Sequence, residues 1–135
     1  MDKTHQKLVG KAISVAKKVK LGNGCKSGDV GCALMTEKGR IYTGVSIVVD
    51  CGIGFCAEHS AIAAMVTRGE SRIIAVVATD STGMLLPPCG RCRELMFQIN
   101  NKNLGTDVIL ARNKVVKLAS LLPNRWQDIY FRPQK

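Results

Sequence analysis

Three cysteines and one glutamate are the residues of this sequence best suited to chemistry. Cys56-Ala57-Glu58 forms one group, and Pro88-Cys89-Gly90-Arg91-Cys92 follows about thirty residues later. Three thiolates suit Zn²⁺, and a set of three protein ligands leaves the fourth coordination position open for water, which separates a catalytic site from a closed structural one. The gap between Cys89 and Cys92 lets both sulfurs reach one ion from the first turn of a helix. Glu58 lies two residues from a ligand, where its carboxylate can take a proton from water and hand it to a heteroatom of a substrate. A lone CxxC also fits a redox pair, half of a zinc ribbon or two unrelated core cysteines. The upstream Cys-Ala-Glu makes a catalytic metal site the favoured reading, with Cys56, Cys89 and Cys92 as ligands and Glu58 as acid/base.

Elements that bring these segments together are legible in the hydrophobic pattern. Leu8, Ile13, Val15, Ala16 and Val19 gather on one side of a helix from Thr4 to Lys20, ended by Gly22-Asn23-Gly24. Val30 to Thr36 and Arg40 to Val48 read as a β-hairpin about Glu37-Lys38-Gly39. Ala57 to Arg68 is a helix stopped by Gly69. Arg72 to Thr79 is nearly unbroken apolar sequence and predicts a central strand covered on both faces. Pro87-Pro88 precedes a helix from Gly90 to Ile99, and strands follow at Asp107 to Ala111 and Val115 to Leu118. Leu121-Leu122-Pro123 opens a closing segment. Helices alternating with buried strands predict an α/β domain of three layers, α/β/α. Both cysteine segments then fall at helix N-termini, where unpaired N–H groups favour thiolate. Three thiolates on Zn²⁺ leave a net negative charge, which Arg91 and Arg93 offset if they reach the sulfurs; a solvated helix surface is the alternative for both.

At 135 residues the chain is the size of one domain, 1–135. A composition 46% hydrophobic and 22% charged belongs to a folded globule. No apolar stretch is long enough for a membrane span, and the charged N-terminal segment lacks the pattern of a secretory leader. The expected location is therefore cytoplasmic, with Cys25, Cys32 and Cys51 as thiols and Cys32 buried. The net charge of +10 admits nucleic acid as a partner. However, its lysines are spread along one helix and scattered beyond it, and one Trp, two Tyr and three Phe offer little for stacking on bases. Nucleic acid is not the expected partner; a structural zinc protein binding RNA is the alternative from another functional class. Glu58 argues against it, since a structural site has no use for an unligated carboxylate.

Cys56-Ala57-Glu58 with Pro88-Cys89-Gly90-Arg91-Cys92-Arg93 resembles the cytidine deaminase family, in particular its small homotetrameric branch and the related blasticidin-S deaminases. The resemblance extends to Val30-Gly31-Cys32-Ala33-Leu34, Gly39-Arg40, Gly44 and Leu121-Leu122-Pro123-Asn124-Arg125-Trp126, and so covers roughly residues 5 to 131. It implies a five-stranded mixed sheet flanked by helices. The implied chemistry is Zn²⁺-dependent hydrolytic removal of an amine from cytidine, deoxycytidine or a related cytosine nucleoside, as in pyrimidine salvage. Cys56, Cys89 and Cys92 resemble the family's ligands, Glu58 its proton shuttle, and the backbone about Ala57 and Pro88-Cys89 the receiver of the substrate ring. Arg93 precedes Arg91 as the residue resembling a charge-balancing partner of the sulfurs. The resemblance also implies homotetramers in which neighbouring chains complete each pocket, with Trp126 to Phe131 as a candidate contact.

Departures from the family pattern fall where it holds ribose. Gly44-Val45-Ser46-Ile47-Val48-Val49 puts Ser46 and Val48 where the family has asparagine and glutamate, and Gly28 stands in place of an aromatic. Val48 offers no hydrogen bond to a hydroxyl. A modified nucleoside such as blasticidin S therefore stands beside cytidine as an expected substrate. Phe55 and Trp126 are candidates for an apolar pocket wall or for plain core. Ser46 is a pocket contact or a strand-edge hydroxyl, and Asp50 either meets a cationic substituent or is solvated.

Overall fold

Two glycines set how closely the layers approach one another. A Cβ on Gly31 would lie 2.5 Å from the Ala12 carbonyl oxygen, and one on Gly44 would overlap the backbone of Ala57 and Ala61. Gly31 thus admits a helix onto one face of the sheet, and Gly44 admits another onto the opposite face. The computed structural model describes residues 1–131; residues 132–135 of the expected domain lie outside the described residues.

Helix α1 (Lys3–Val15) is capped by Asp2, whose carboxylate accepts the His5 N–H at 2.8 Å. The helix expected to reach Lys20 stops earlier. Val19–Lys20 instead forms the short strand β1, paired with Ser27 and Lys26 at the start of β2 (Lys26–Thr36). Val19 is accordingly half exposed, not part of the helix's buried side. Strands β2 and β3 (Ile41–Val48) make the expected antiparallel hairpin. Helix α2 (Ala57–Thr67) ends at Gly69, which takes a positive φ of 83°. Strand β4 (Ile73–Asp80) is central: it runs antiparallel to β2 and parallel to β6 (Asp107–Ala111). Between them lie the two-residue β5 (Leu85–Leu86), α3 (Gly90–Ile99) and a 3₁₀ turn over Asn101–Gly105. Strand β7 (Lys114–Lys117) returns antiparallel to β6, and α4 (Trp126–Tyr130) follows a further 3₁₀ turn.

The sheet holds seven strands, whereas five were expected. The two additional strands are β1 and β5, of two residues each, too short to leave a periodic signal. The five longer strands form the mixed sheet that the resemblance implies.

Alternation along the strands builds a core on each face. Cys32, Leu34, Val76 and Val108 pack with Ala57, Ala61, Met65, Met96 and Phe97 of α2 and α3. Their sequence neighbours Ala33, Ala75, Val77 and Ile109 pack with Leu8, Val9 and Ala12 of α1. The architecture is therefore three-layered, with α1 on one side and α2 and α3 on the other. Cys32 is fully buried, as expected. No helix among the described residues is long and apolar enough to cross a membrane.

Candidate metal centre

Cys56 and Cys89 occupy the same local position in two helices. Each is the residue before the first helical turn, Cys56 for α2 and Cys89 for α3, with extended backbone and no side-chain bond to its own helix. Their sulfurs are therefore free to turn toward each other, and they stand 3.3 Å apart. Cys92, within the first turn of α3, brings its sulfur to 3.6 Å from that of Cys89. All three ligand atoms lie within 4.8 Å of one another. Tetrahedral thiolates at Zn–S of about 2.3 Å would stand about 3.8 Å apart, so this donor set fits Zn²⁺ in both chemistry and spacing.

The thiols are not equivalent. Burial raises Cys89, but the backbone N–H of Cys92, the neighbouring thiols and the N–H of Arg91 outweigh it and hold the group below its ordinary value. The helix N-terminus thus favours thiolate at this position. Burial and then the Cys89 thiol raise Cys56. Burial and the Glu58 carboxylate push Cys92 well up. Charge-balancing metal is what would bring these last two to the ionised state.

Glu58 lies in the first turn of α2 with only 5% of its surface exposed. Burial raises its carboxyl, opposed only by the glutamate's own backbone N–H. It lines a small apolar crevice with Leu86, Pro88 and apolar residues of β4 and β6. Raised by burial and set among apolar side chains, such a carboxyl can pass between its charged and neutral forms, as proton transfer requires.

A family description, "Cytidine and deoxycytidylate deaminase zinc-binding region", matches residues 2–106. The chain belongs to this family. The chain is 34% identical over 79 residues to a curated cytidine deaminase of Mycobacterium tuberculosis, covering 58% of this chain and 59% of that protein. The aligned part thus spans little more than half the length of that relative. In structure it is similar to cytidine deaminase from Mycobacterium leprae, with 30% identity, a TM-score of 0.76, and coverage of 91% of this chain and 100% of the other. Cytidine deaminase from Mycobacterium tuberculosis superimposes with a TM-score of 0.76 at 27% identity, covering 93% and 98%.

The remaining candidate residues divide into two groups. Ala57 is fully buried and Pro88 is buried beside Glu58. Arg93 donates from Nε to the Pro88 carbonyl at 2.8 Å, fixing the turn that presents Cys89. Arg91 is exposed on α3. Phe55 is half-buried and stacks on His59 at 6.2 Å between ring centroids. Ser46 is buried, and its hydroxyl accepts the Val30 N–H at 3.0 Å, opposite the register shift in β2. Val48 is exposed at the end of β3. Asp50 and Cys51 are exposed in the following loop. Trp126 lies elsewhere, lining a cavity of about 670 Å³ with Phe97, Gln98 and Phe131 that none of the cysteines or Glu58 borders.

Two features of this end of the molecule were not singled out from the sequence. His59 stacks on Phe55: burial and the Arg91 charge lower its pKa, and its Nε2 is buried without a partner among the described residues. Its place directly after Glu58 was the available signal. Val76, Val77 and Ala78 line the Glu58 crevice, yet in the sequence they read only as central-strand core.

Proposed function

We propose that the protein is a hydrolytic deaminase of cytosine nucleosides that replaces the ring amine by a carbonyl and releases ammonia. The observation that carries this reading is the pairing of a buried, protonatable carboxyl, Glu58, with three converging sulfurs at two helix N-termini. Cys56, Cys89 and Cys92 hold the metal. Zinc bound there supplies Lewis-acid activation of water at neutral pH. Glu58 takes a proton from water, gives it to the ring nitrogen and carries a second proton to the departing amine, ending in its starting state. Ala57 and Pro88, both buried next to Glu58, exclude solvent and present backbone to the ring edge. Arg93 acts by holding the Pro88-Cys89 turn, and Arg91 adds positive charge at the rim. Phe55 forms an apolar wall beside Cys56.

Among cytosine nucleosides, cytidine or deoxycytidine is the first reading, and three positions support a modified nucleoside such as blasticidin S as the second. Gly28 has a φ of +81°, and any Cβ there would overlap the Lys17 carbonyl, so no aromatic can stand at that position without moving the segment that follows α1. Ser46 already accepts a backbone hydrogen bond, and Val48 offers none. Ribose hydroxyls consequently lose the contacts that the family pattern supplies, while an altered sugar bearing fewer hydroxyls loses less.

The assembled form is a homotetramer located in the cytoplasm. Trp126, Ile129, Tyr130 and Phe131 are each more than half exposed, an apolar cluster that another copy of the chain would cover. Trp126 then contributes to a pocket across that contact. Light scattering of the eluted protein tests this directly; a monomer at micromolar concentration contradicts it.

The test of function is ultraviolet-monitored turnover with ammonia release by zinc-loaded protein on cytidine, deoxycytidine, cytosine and blasticidin S in parallel. Turnover of cytidine or deoxycytidine is expected. Turnover of blasticidin S alone contradicts the first substrate reading and supports the second. Turnover of none, together with tight binding of RNA, contradicts the enzyme reading.

A further inference from the structure

Among the described residues strand β3 is an edge strand, pairing along its length with β2. At its far end the Ile47 N–H and carbonyl both bond to Phe55, away from β2. The Val45 carbonyl likewise turns outward, to the Ser60 hydroxyl. Because these groups alternate from side to side along an antiparallel strand, the Thr43 N–H points to the same open edge. There it meets no further strand. Thr43 and Ile41 line a cleft of about 460 Å³ between this edge and α1, whose other wall carries Lys7, Lys11 and Ser14.

The donors in this cleft are unspent. Lys7 and Lys11 lie one helical turn apart, on the same side of α1. Neither has a carboxylate partner among the described residues, in contrast to Lys26 with Asp29 and Lys117 with Asp107. The lining contains no acidic residue. The Thr43 hydroxyl has no partner among the described residues, whereas Ser14 spends its proton on the Lys11 carbonyl at 2.7 Å. Two ammonium groups, one hydroxyl and one backbone N–H thus border one concavity with nothing to neutralise them. Such a set recognises an anion with several acceptor oxygens.

We propose that the cleft between α1 and the β3 edge binds the phosphate groups of a small phosphorylated ligand. The absence of any aromatic side chain from its lining removes the stacking surface by which single-stranded nucleic acid is held. Recognition therefore rests on the phosphates. The cleft lies on the α1 side of the sheet, while Cys56, Glu58, Cys89 and Cys92 belong to α2 and α3 on the other, so a ligand there does not compete with substrate.

The experiment is a titration of ¹⁵N-labelled, zinc-loaded full chain with inorganic tripolyphosphate at physiological ionic strength. Saturable amide shifts centred on Lys7, Lys11 and Thr43 are expected. The double variant K7E/K11E should bind at least about tenfold more weakly, since charge-assisted bonds are replaced by repulsion. Lys102 and Lys114 are exposed and lie on other elements; K102E/K114E changes net charge equally and should leave affinity within about twofold, because exposed charges beyond a screening length contribute little. Equal weakening by the two double variants would reduce the effect to overall charge and overturn the proposal. So would shifts centred elsewhere, or tighter binding of a single-stranded oligonucleotide than of tripolyphosphate.

Discussion

The two ends of α3 treat buried polar groups in opposite ways. At its C-terminal end Asn103 is fully buried and fully partnered: its amide donates to the Ser71 and Met96 carbonyls at 2.9 and 2.8 Å, and its oxygen accepts the Ile73 N–H at 2.8 Å. Thr106 joins this cluster by donating to the Ile73 carbonyl at 2.6 Å. At the N-terminal end, Glu58 is nearly as buried, yet no other side chain among the described residues hydrogen-bonds to its carboxyl. The first arrangement ties α3 to β4 and gains stability by leaving nothing unpaired. The second leaves capacity for a substrate and a metal to use, at a cost to the unliganded fold. One helix thus serves as an anchor at one end and borders the candidate metal centre at the other.

Removing a sulfur should have the largest effect. Cys89→Ala is expected to lower metal content far below the roughly one zinc per chain of the parent, measured by atomic absorption after dialysis, and to abolish the stabilisation that metal confers. With free zinc a hundredfold above its dissociation constant, that stabilisation is about 3 kcal/mol. Metal content equal to the parent's would remove Cys89 from the ligand set.

Damage to the anchor should be nearly as large in stability but absent from the chemistry. Asn103→Leu strands one N–H and two carbonyls and is expected to cost about 2–4 kcal/mol in urea unfolding, with zinc per chain unchanged. A loss of zinc in a variant that still folds would mean that the two ends of α3 are not independent.

The smallest effect is a pH dependence away from both ends. The Thr36 hydroxyl, and against burial the Tyr42 hydroxyl at 2.7 Å and the Arg40 guanidinium at 3.5 Å, hold Glu70 below its ordinary value. A depressed carboxyl stabilises the fold above the unfolded pKa of about 4.3 and loses that contribution as pH falls through the lower folded value. The stability gap between the parent and Glu70→Gln should therefore be present at neutral pH and close below about pH 4. A gap unchanged by acid would assign it to packing.

Much of this contrast was legible in the sequence, though unevenly. Helix α3 and strand β6 lie where periodicity and the Pro87-Pro88 break predicted them, and the metal cluster unites Cys56, Cys89 and Cys92. These signals are local: spacing, capping position and apolar runs. Asn103 gave no such signal, because its value lies in carbonyls contributed by Ser71 and Met96, which only the fold brings near. The early end of α1 was hidden for a related reason. Val19 and Lys20 fit a helical pattern, and only their pairing with β2 turns them into a strand. Ser46 shows a limit of another kind: its residue type suited a pocket or an edge, and its bond to Val30 spans a register shift that spacing does not reveal. Trp126 could be read as wall or core, and in the single chain it borders a separate cavity.

The most direct test of the account is Glu58→Gln, assayed for ammonia release and zinc content on the same preparation. The account predicts turnover lower by at least about a hundredfold, the usual contribution of a positioned acid/base, with about one zinc per chain retained and thermal stability no lower than the parent's, since a neutral amide is buried more cheaply than a carboxylate. Turnover close to the parent's in a zinc-replete E58Q protein would contradict it.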